Sequence, residues 1–158
     1  MTLVLIRVDD RLIHGQVLLG WTRSLGVDHA IAADDATAKD PMQTALMKMA
    51  APTGMGISVL PVREAAERLM AGDFDRSKVL LLVRGPQSLL VLREVGLTFD
   101  RANVGNVRSA PGRRKLTKEV FASPDDIEAW KQLHAAGVAL EAQWLPDQSR
   151  RNLADLLD

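Results

Sequence analysis

The sequence predicts an α/β fold: an open, doubly wound, mostly parallel sheet with helices on both faces and an antiparallel edge strand. Three observations lead there. Short apolar runs alternate with amphipathic helical stretches along 158 residues. The run Val79–Val83 is apolar throughout, as expected for a central parallel strand covered on both faces. Glycines at 26, 72, 96 and 137 stand where helical periodicity stops. A chain of this length is expected to form one domain over residues 1–158, burying about two-thirds of its unfolded surface.

The elements follow in order. Residues 2–6 form an apolar run bounded by charge, a buried strand. Val17, Leu18, Trp21 and Leu25 recur at helical spacing up to Gly26. Residues 28–33 read as a second strand ending at Asp34-Asp35, with His29 at its start, away from any chemistry. Pro41 opens a helix whose Met42, Ala45, Leu46, Met49 and Ala50 share one side, the methionines filling core gaps. After Pro52-Thr53-Gly54 comes a third strand, Gly56–Leu60. Val62, Ala65, Ala66, Leu69 and Met70 mark an amphipathic helix. Val79–Val83 leads into Arg84-Gly85-Pro86, and a helix over Gln87–Val95 follows.

A fifth strand over 102–104 precedes a loop with a run of basic residues, Arg108 to Lys115. That run reads either as solvated surface or as a docking patch. A sixth strand over 120–122 leads to Ser123-Pro124-Asp125-Asp126, a capped helix start. Ile127, Trp130, Leu133 and His134 mark that helix's buried side. Residues 138–144 alternate like a half-exposed edge strand. Ser149 is expected to cap a last short helix.

Charged residues make up 25% and apolar ones 47%, the range of ordinary globular proteins. Twenty basic and twenty acidic side chains balance, so nothing calls for nucleic acid or an acidic membrane surface. There are no cysteines, hence neither disulfides nor thiolate metal sites, and no metal or other cofactor is expected. No signal peptide or long apolar stretch stands out, so the expected location is the cytoplasm, at a membrane only through other chains.

The chemistry concentrates in Val8-Asp9-Asp10-Arg11-Leu12-Ile13-His14-Gly15-Gln16-Val17. These residues follow the first strand and run into the first helix, at the sheet edge where α/β proteins bind ligands. A helix N-terminus there favours a phosphate. His14 can accept a phosphoryl group on nitrogen when its imidazole is neutral. Arg11 could balance the phosphoryl charge, and Asp9 or Asp10 could orient the ring. From spacing alone, a capping histidine with a local Arg11–Asp10 pair is an equally good reading. Arg84 and Gly85 offer a second wall to this site.

The stretch Arg7–Val17 matches R-[IV]-D-D-R-L-I-H-G-Q-V at every position. It resembles the N-terminal signature of the enzyme IIB subunits of the mannose/fructose/sorbose family of the bacterial phosphotransferase system. Supporting stretches in the same order are Ala51-Pro52, residues 78–83 with Pro86, Asn103-Val104-Gly105, Lys115-Leu116-Thr117-Lys118 and residues 152–156.

The resemblance implies that His14 takes a phosphoryl group from an enzyme IIA partner and passes it to a sugar held by a IIC/IID membrane permease. For that step the residues themselves offer Asp10 and Arg11 beside His14, with Gly15, Gln16, Arg84, Gly85 and Gly105 as the expected phosphate-site wall. The resemblance also implies an antiparallel edge strand over 138–144. The family usually carries glycine where Asn106 stands, which bears on how closely a phosphate approaches there. A regulatory phospho-acceptor without a permease is the alternative, and a homodimer stays open. A histidine phosphatase fits poorly, because Ile13 separates His14 from any preceding arginine and neither His29 nor His134 is well placed.

Overall fold

The computed structural model describes residues 3–158, apart from the side chain of Gln16. Thr2, the expected start of the first strand, lies outside the described residues. The strands are β1 (Leu3–Asp9), β2 (His29–Ala33), β3 (Gly56–Leu60), β4 (Val79–Val83), β5 (Arg101–Asn106), β6 (Arg114–Lys115), β7 (Phe121–Ala122), β8 (Ala139–Ala142) and β9 (Arg151–Asn152). The helices are α1 (Gly15–Leu25), α2 (Asp35–Ala38), α3 (Pro41–Ala50), α4 (Val62–Met70), α5 (Pro86–Val95) and α6 (Pro124–Ala135).

Seven strands form one sheet in the order β3-β2-β4-β1-β5-β8-β9, parallel except for β9. The apolar run of β4 is buried at every residue between β1 and β2. Alternation along β1 divides the core. Ile6 and Val8 pack with Leu69, Leu89 and Trp130 of α4, α5 and α6, while Leu12, Leu18 and Met47 pack against Leu80 and Leu82 on the other face. Arg7 and Asp9, two residues apart, project together from β1. Because the strands are parallel, the loops after Asp9, Ala33, Val83 and Asn106 converge on one edge of the sheet.

Several expectations need correcting. β1 runs on through Arg7, Val8 and Asp9, so Asp9 sits in the sheet and not in the loop after it. β8 is parallel to β5, because α6 carries the chain back across the sheet before β8 begins. The antiparallel edge is the two-residue β9, where a helix start was expected. Asn152, not Ser149, caps the short 3-10 helix Leu153–Leu156, accepting from the Ala154 N–H at 3.1 Å.

The segment expected as a sixth sheet strand pairs instead with β6 as a separate antiparallel ribbon. No helix lies between β5 and β7 to carry the chain over a sheet face, so the segment folds back on itself. α2 was not anticipated; Asp34 caps it by accepting from the Thr37 N–H at 3.1 Å. His134 is exposed, one position beyond the buried stripe Ala129, Trp130 and Leu133. On α3 only Met47 is buried, and Met42, Leu46 and Met49 face outward. His29 lies at the start of β2, as expected, hydrogen-bonded to Ser58 Oγ at 2.8 Å and tilted against Phe74. Among the described residues, no helix is long and apolar enough to cross a membrane.

Candidate active site

The site begins with a tight turn. The Leu12 N–H donates to the Asp9 carbonyl at 2.9 Å, and Leu12 adopts φ 57°, the left-handed region a branched residue rarely occupies. Burial of the Leu12 side chain with Leu18, Leu80 and Leu82 holds that conformation. His14 then occupies the N-cap of α1 with extended backbone, and its ring makes no capping bond. Nε2 instead lies 3.0 Å from Asp9 Oδ2.

Asp9 is fully buried and heavily coordinated. Oδ1 accepts the Arg11 N–H at 3.0 Å, and Oδ2 accepts from Arg7 Nη2 at 3.4 Å as well as from His14. Burial by itself raises a carboxyl's pKa. Here the hydrogen bonds from His14 and the Arg11 N–H, with the charge of Arg7, outweigh it and hold Asp9 below the usual carboxylate range. An ionised Asp9 is an acceptor only, so Nε2 carries a ring proton, and in the neutral imidazole the lone pair falls on Nδ1.

The remaining predicted residues are distributed more widely. Asp10 is not the carboxylate beside His14. It turns toward β5, accepting from Asn106 Nδ2 at 3.0 Å and from the Arg108 N–H and Nε at 2.9 and 3.1 Å. Successive side chains at a strand end point to opposite sides, which separates the two aspartates. Arg11 is half-exposed; it pairs with Asp9, at 3.8 Å, and not with Asp10. Gly15 opens α1, and a Cβ there would meet nothing within 4 Å. The side chain of Gln16 lies outside the described residues.

Arg84 binds the Asp10 carbonyl, Asp34 Oδ2 at 3.2 Å and Thr37 Oγ1 at 2.9 Å, tying the loops after β1, β2 and β4 together. Gly85 caps α5 in extended conformation. Gly105 does not open space for a phosphate, because a Cβ there would lie 2.0 Å from Arg7 Cζ. Asn106 stays within β5 and avoids the left-handed region, so its role is the bond to Asp10.

His14 also forms one end of a cleft of about 320 Å³ lined by Ile13, Gly15, Gln43, Leu46 and Met47. Its far wall is α3, whose Met42, Leu46 and Met49 are 73%, 58% and 81% exposed. No group of three residues able to hold a metal ion occurs among the described residues.

Residues 3–158 match the family described as the PTS system sorbose subfamily IIB component. The chain belongs to that family. It is 34% identical over 155 residues to the N-acetylgalactosamine-specific phosphotransferase enzyme IIB component 2 of Escherichia coli, covering 98% of each chain. It is 32% identical over 157 residues to the PTS system fructose-specific EIIB component of Bacillus subtilis, covering 99% of this chain and 96% of that one. Among solved structures, the IIBSor domain of the sorbose permease from Klebsiella pneumoniae is similar at 30% identity, with a TM-score of 0.93, covering 99% of this chain and 96% of that one.

As a sorbose-subfamily IIB component, the chain is a phosphotransferase acting in sugar uptake, within a system that also has IIA and IIC/IID parts. Two features of the site escaped the sequence reading. Arg7 had no role, although an arginine two residues before Asp9 on one strand must share its face. The Asp34–Thr37 anchor for Arg84 was missed too, although an aspartate followed three residues later by threonine is a helix-start signal.

Proposed function

We propose that His14 is the phosphoryl acceptor and that Nδ1 is the attacking atom. The observation supporting this is the 3.0 Å contact of His14 Nε2 with Asp9 Oδ2, which in the neutral ring puts the lone pair on Nδ1. In the transfer, a bond forms between phosphorus and Nδ1 as the bond to the enzyme IIA phosphohistidine nitrogen breaks. No proton has to leave Nδ1. Asp9, still accepting from Nε2–H, offsets the positive charge that builds on the ring.

The phosphoryl oxygens are received by backbone N–H groups of the first turn of α1 and by the partly exposed Arg11. The group then passes to a sugar held by the IIC/IID permease. This places the chain at the cytoplasmic side of the membrane as one IIB domain, associated with the membrane through that permease.

The IIA partner has to seat over His14 for the bond to form, and the outward stripe Met42, Leu46 and Met49 beside the cleft supplies an apolar surface for it. The basic segment is a weaker candidate. Arg113 donates to the Arg108 carbonyl at 2.8 Å, and Arg114 donates to the carbonyls of Leu157 and Asp158 at 3.1 and 3.3 Å.

The test is reconstitution of the purified chain with phosphoenolpyruvate, the general phosphotransferase proteins and candidate IIA partners. An acid-labile, base-stable phosphate that disappears in His14→Ala is the expected result. Label that survives acid, or persists in His14→Ala, overturns the assignment.

A further inference from the structure

Arg7 is 1% exposed, an unusual position for an arginine, and its surroundings are built for it. Nη1 donates to Asn103 Oδ1 at 2.5 Å and to the Gln143 carbonyl at 3.0 Å, joining β1 to β5 and to the end of β8. Its guanidinium lies 5.4 Å from the centre of the Trp21 ring on α1. The β1–β5 register runs Arg7 to Asn103, Val8 to Val104, then Asp9 to Asn106, so Gly105 is an extra residue bulged out of the pairing. The bulge and the missing Cβ of Gly105 together leave the space the guanidinium occupies.

Such a clamp would be purely structural were it not for the oxygen it reaches. Arg7 Nη2 and His14 Nε2 meet on the same atom, Asp9 Oδ2, at 3.4 and 3.0 Å. Arg7, Asp9 and His14 also line one small internal space with Leu12, Leu18 and Trp21, whose apolar walls strengthen charge effects.

A bare carboxylate against an imidazole N–H favours the imidazolium, which has no lone pair with which to attack phosphorus. A guanidinium on that same oxygen opposes this. We propose that Arg7 is a positioning residue for phosphoryl transfer: by sharing Asp9 Oδ2 it aims the carboxylate at Nε2 and tempers its charge, so that His14 presents a neutral, nucleophilic imidazole.

The other groups around the ring leave this role to Arg7. Asp10 is engaged by Asn106 and Arg108, Arg11 faces Oδ1, and α1 has no acid in its first turn. Across the cleft, α3 contributes the uncharged Gln43. Burial lowers the pKa of Arg7 to about 10, against the opposing pull of Asp9, so the guanidinium remains charged at neutral pH.

The proposal rests on His14 as acceptor, and the test separates the two. In Arg7→Gln the remaining amide still has Asn103 and Gln143 as neighbours, but the charge on Asp9 is unopposed. Protonation of the His14 ring, followed by NMR without any phosphodonor, is expected to persist to higher pH. The acidic limb of phosphoryl transfer from phospho-IIA is expected to move with it. Arg7→Lys keeps a charge but loses the fork, so it shifts both less. It carries the test alone if Arg7→Gln does not fold. Folded variants whose ring titration and transfer profile both superimpose on the parent overturn the proposal. Failure of the parent chain to label at His14, with the ring titration still displaced, overturns the acceptor assignment and with it the transfer role, leaving only the influence of Arg7 on the ring.

Discussion

Gly105 and Arg7 occupy one another's space: an added Cβ on the glycine would fall 2.0 to 2.3 Å from three atoms of the guanidinium. Gly105→Ala must therefore push Arg7 off Asp9 or distort β5. Overpacking of this kind costs about 1–3 kcal/mol. The expected result is a lower melting temperature together with slower phosphoryl transfer. A variant that melts and transfers like the parent would show that the bulge yields freely.

The two neighbouring aspartates should differ sharply. Asp9→Asn leaves the buried Arg7 without its counter-ion, a loss on the order of 3 kcal/mol. It also removes the carboxylate facing His14. Asp10→Asn keeps an acceptor for Asn106 and disturbs the other oxygen's bonds, to the Arg108 N–H and to its exposed guanidinium. Thermal unfolding and transfer assays on both variants check the contrast, which fails if Asp10→Asn is as damaging as Asp9→Asn.

Arg11→Gln is expected to slow transfer to and from His14 at least tenfold, about 1.4 kcal/mol of barrier. The melting temperature should hardly change, because a partly exposed pair at 3.8 Å contributes about 0–1 kcal/mol. Early melting with normal transfer would make Arg11 structural.

Docking and stability should separate on the surface. Met42→Asp and Leu46→Asp are expected to slow transfer from phospho-IIA with little effect on melting, since both side chains face solvent beside the His14 cleft. Arg114→Gln should lower the melting temperature by releasing the C-terminal carbonyls, without the salt-dependent rate loss of a steering residue. Rates measured at low and high ionic strength decide between the two surfaces.

His29 supplies a pH dependence. Burial lowers its folded pKa; the charge of Asp28 opposes that shift and Arg68 reinforces it. The folded state thus binds a proton less readily than the unfolded one. The stabilising contribution is complete above the unfolded value, about 6.5, and is lost as pH falls through the folded value. His29→Gln should flatten the stability profile just below pH 6.5, as urea unfolding at several pH values will show. An unchanged slope would mean that other groups set it.

The order of strands and helices was readable along the chain because periodicity is local: a run of five apolar residues at 79–83 has few alternatives to a central strand. His14 and its place before α1 were readable for the same reason, from a contiguous motif. What only the tertiary structure decided is pairing across the sheet. Nothing near residue 9 in sequence says that Asp9, and not Asp10, faces the imidazole, since that depends on where β1 stops alternating and the turn begins. Nor could the chain reveal that Arg7 fills the space left by Gly105, 98 positions away. The direction of β8 and the separate β6–β7 ribbon likewise followed from crossover geometry. A buried charge is settled by its partners, and for Arg7 those come from β5 and from the turn after β8, which only folding brings to β1.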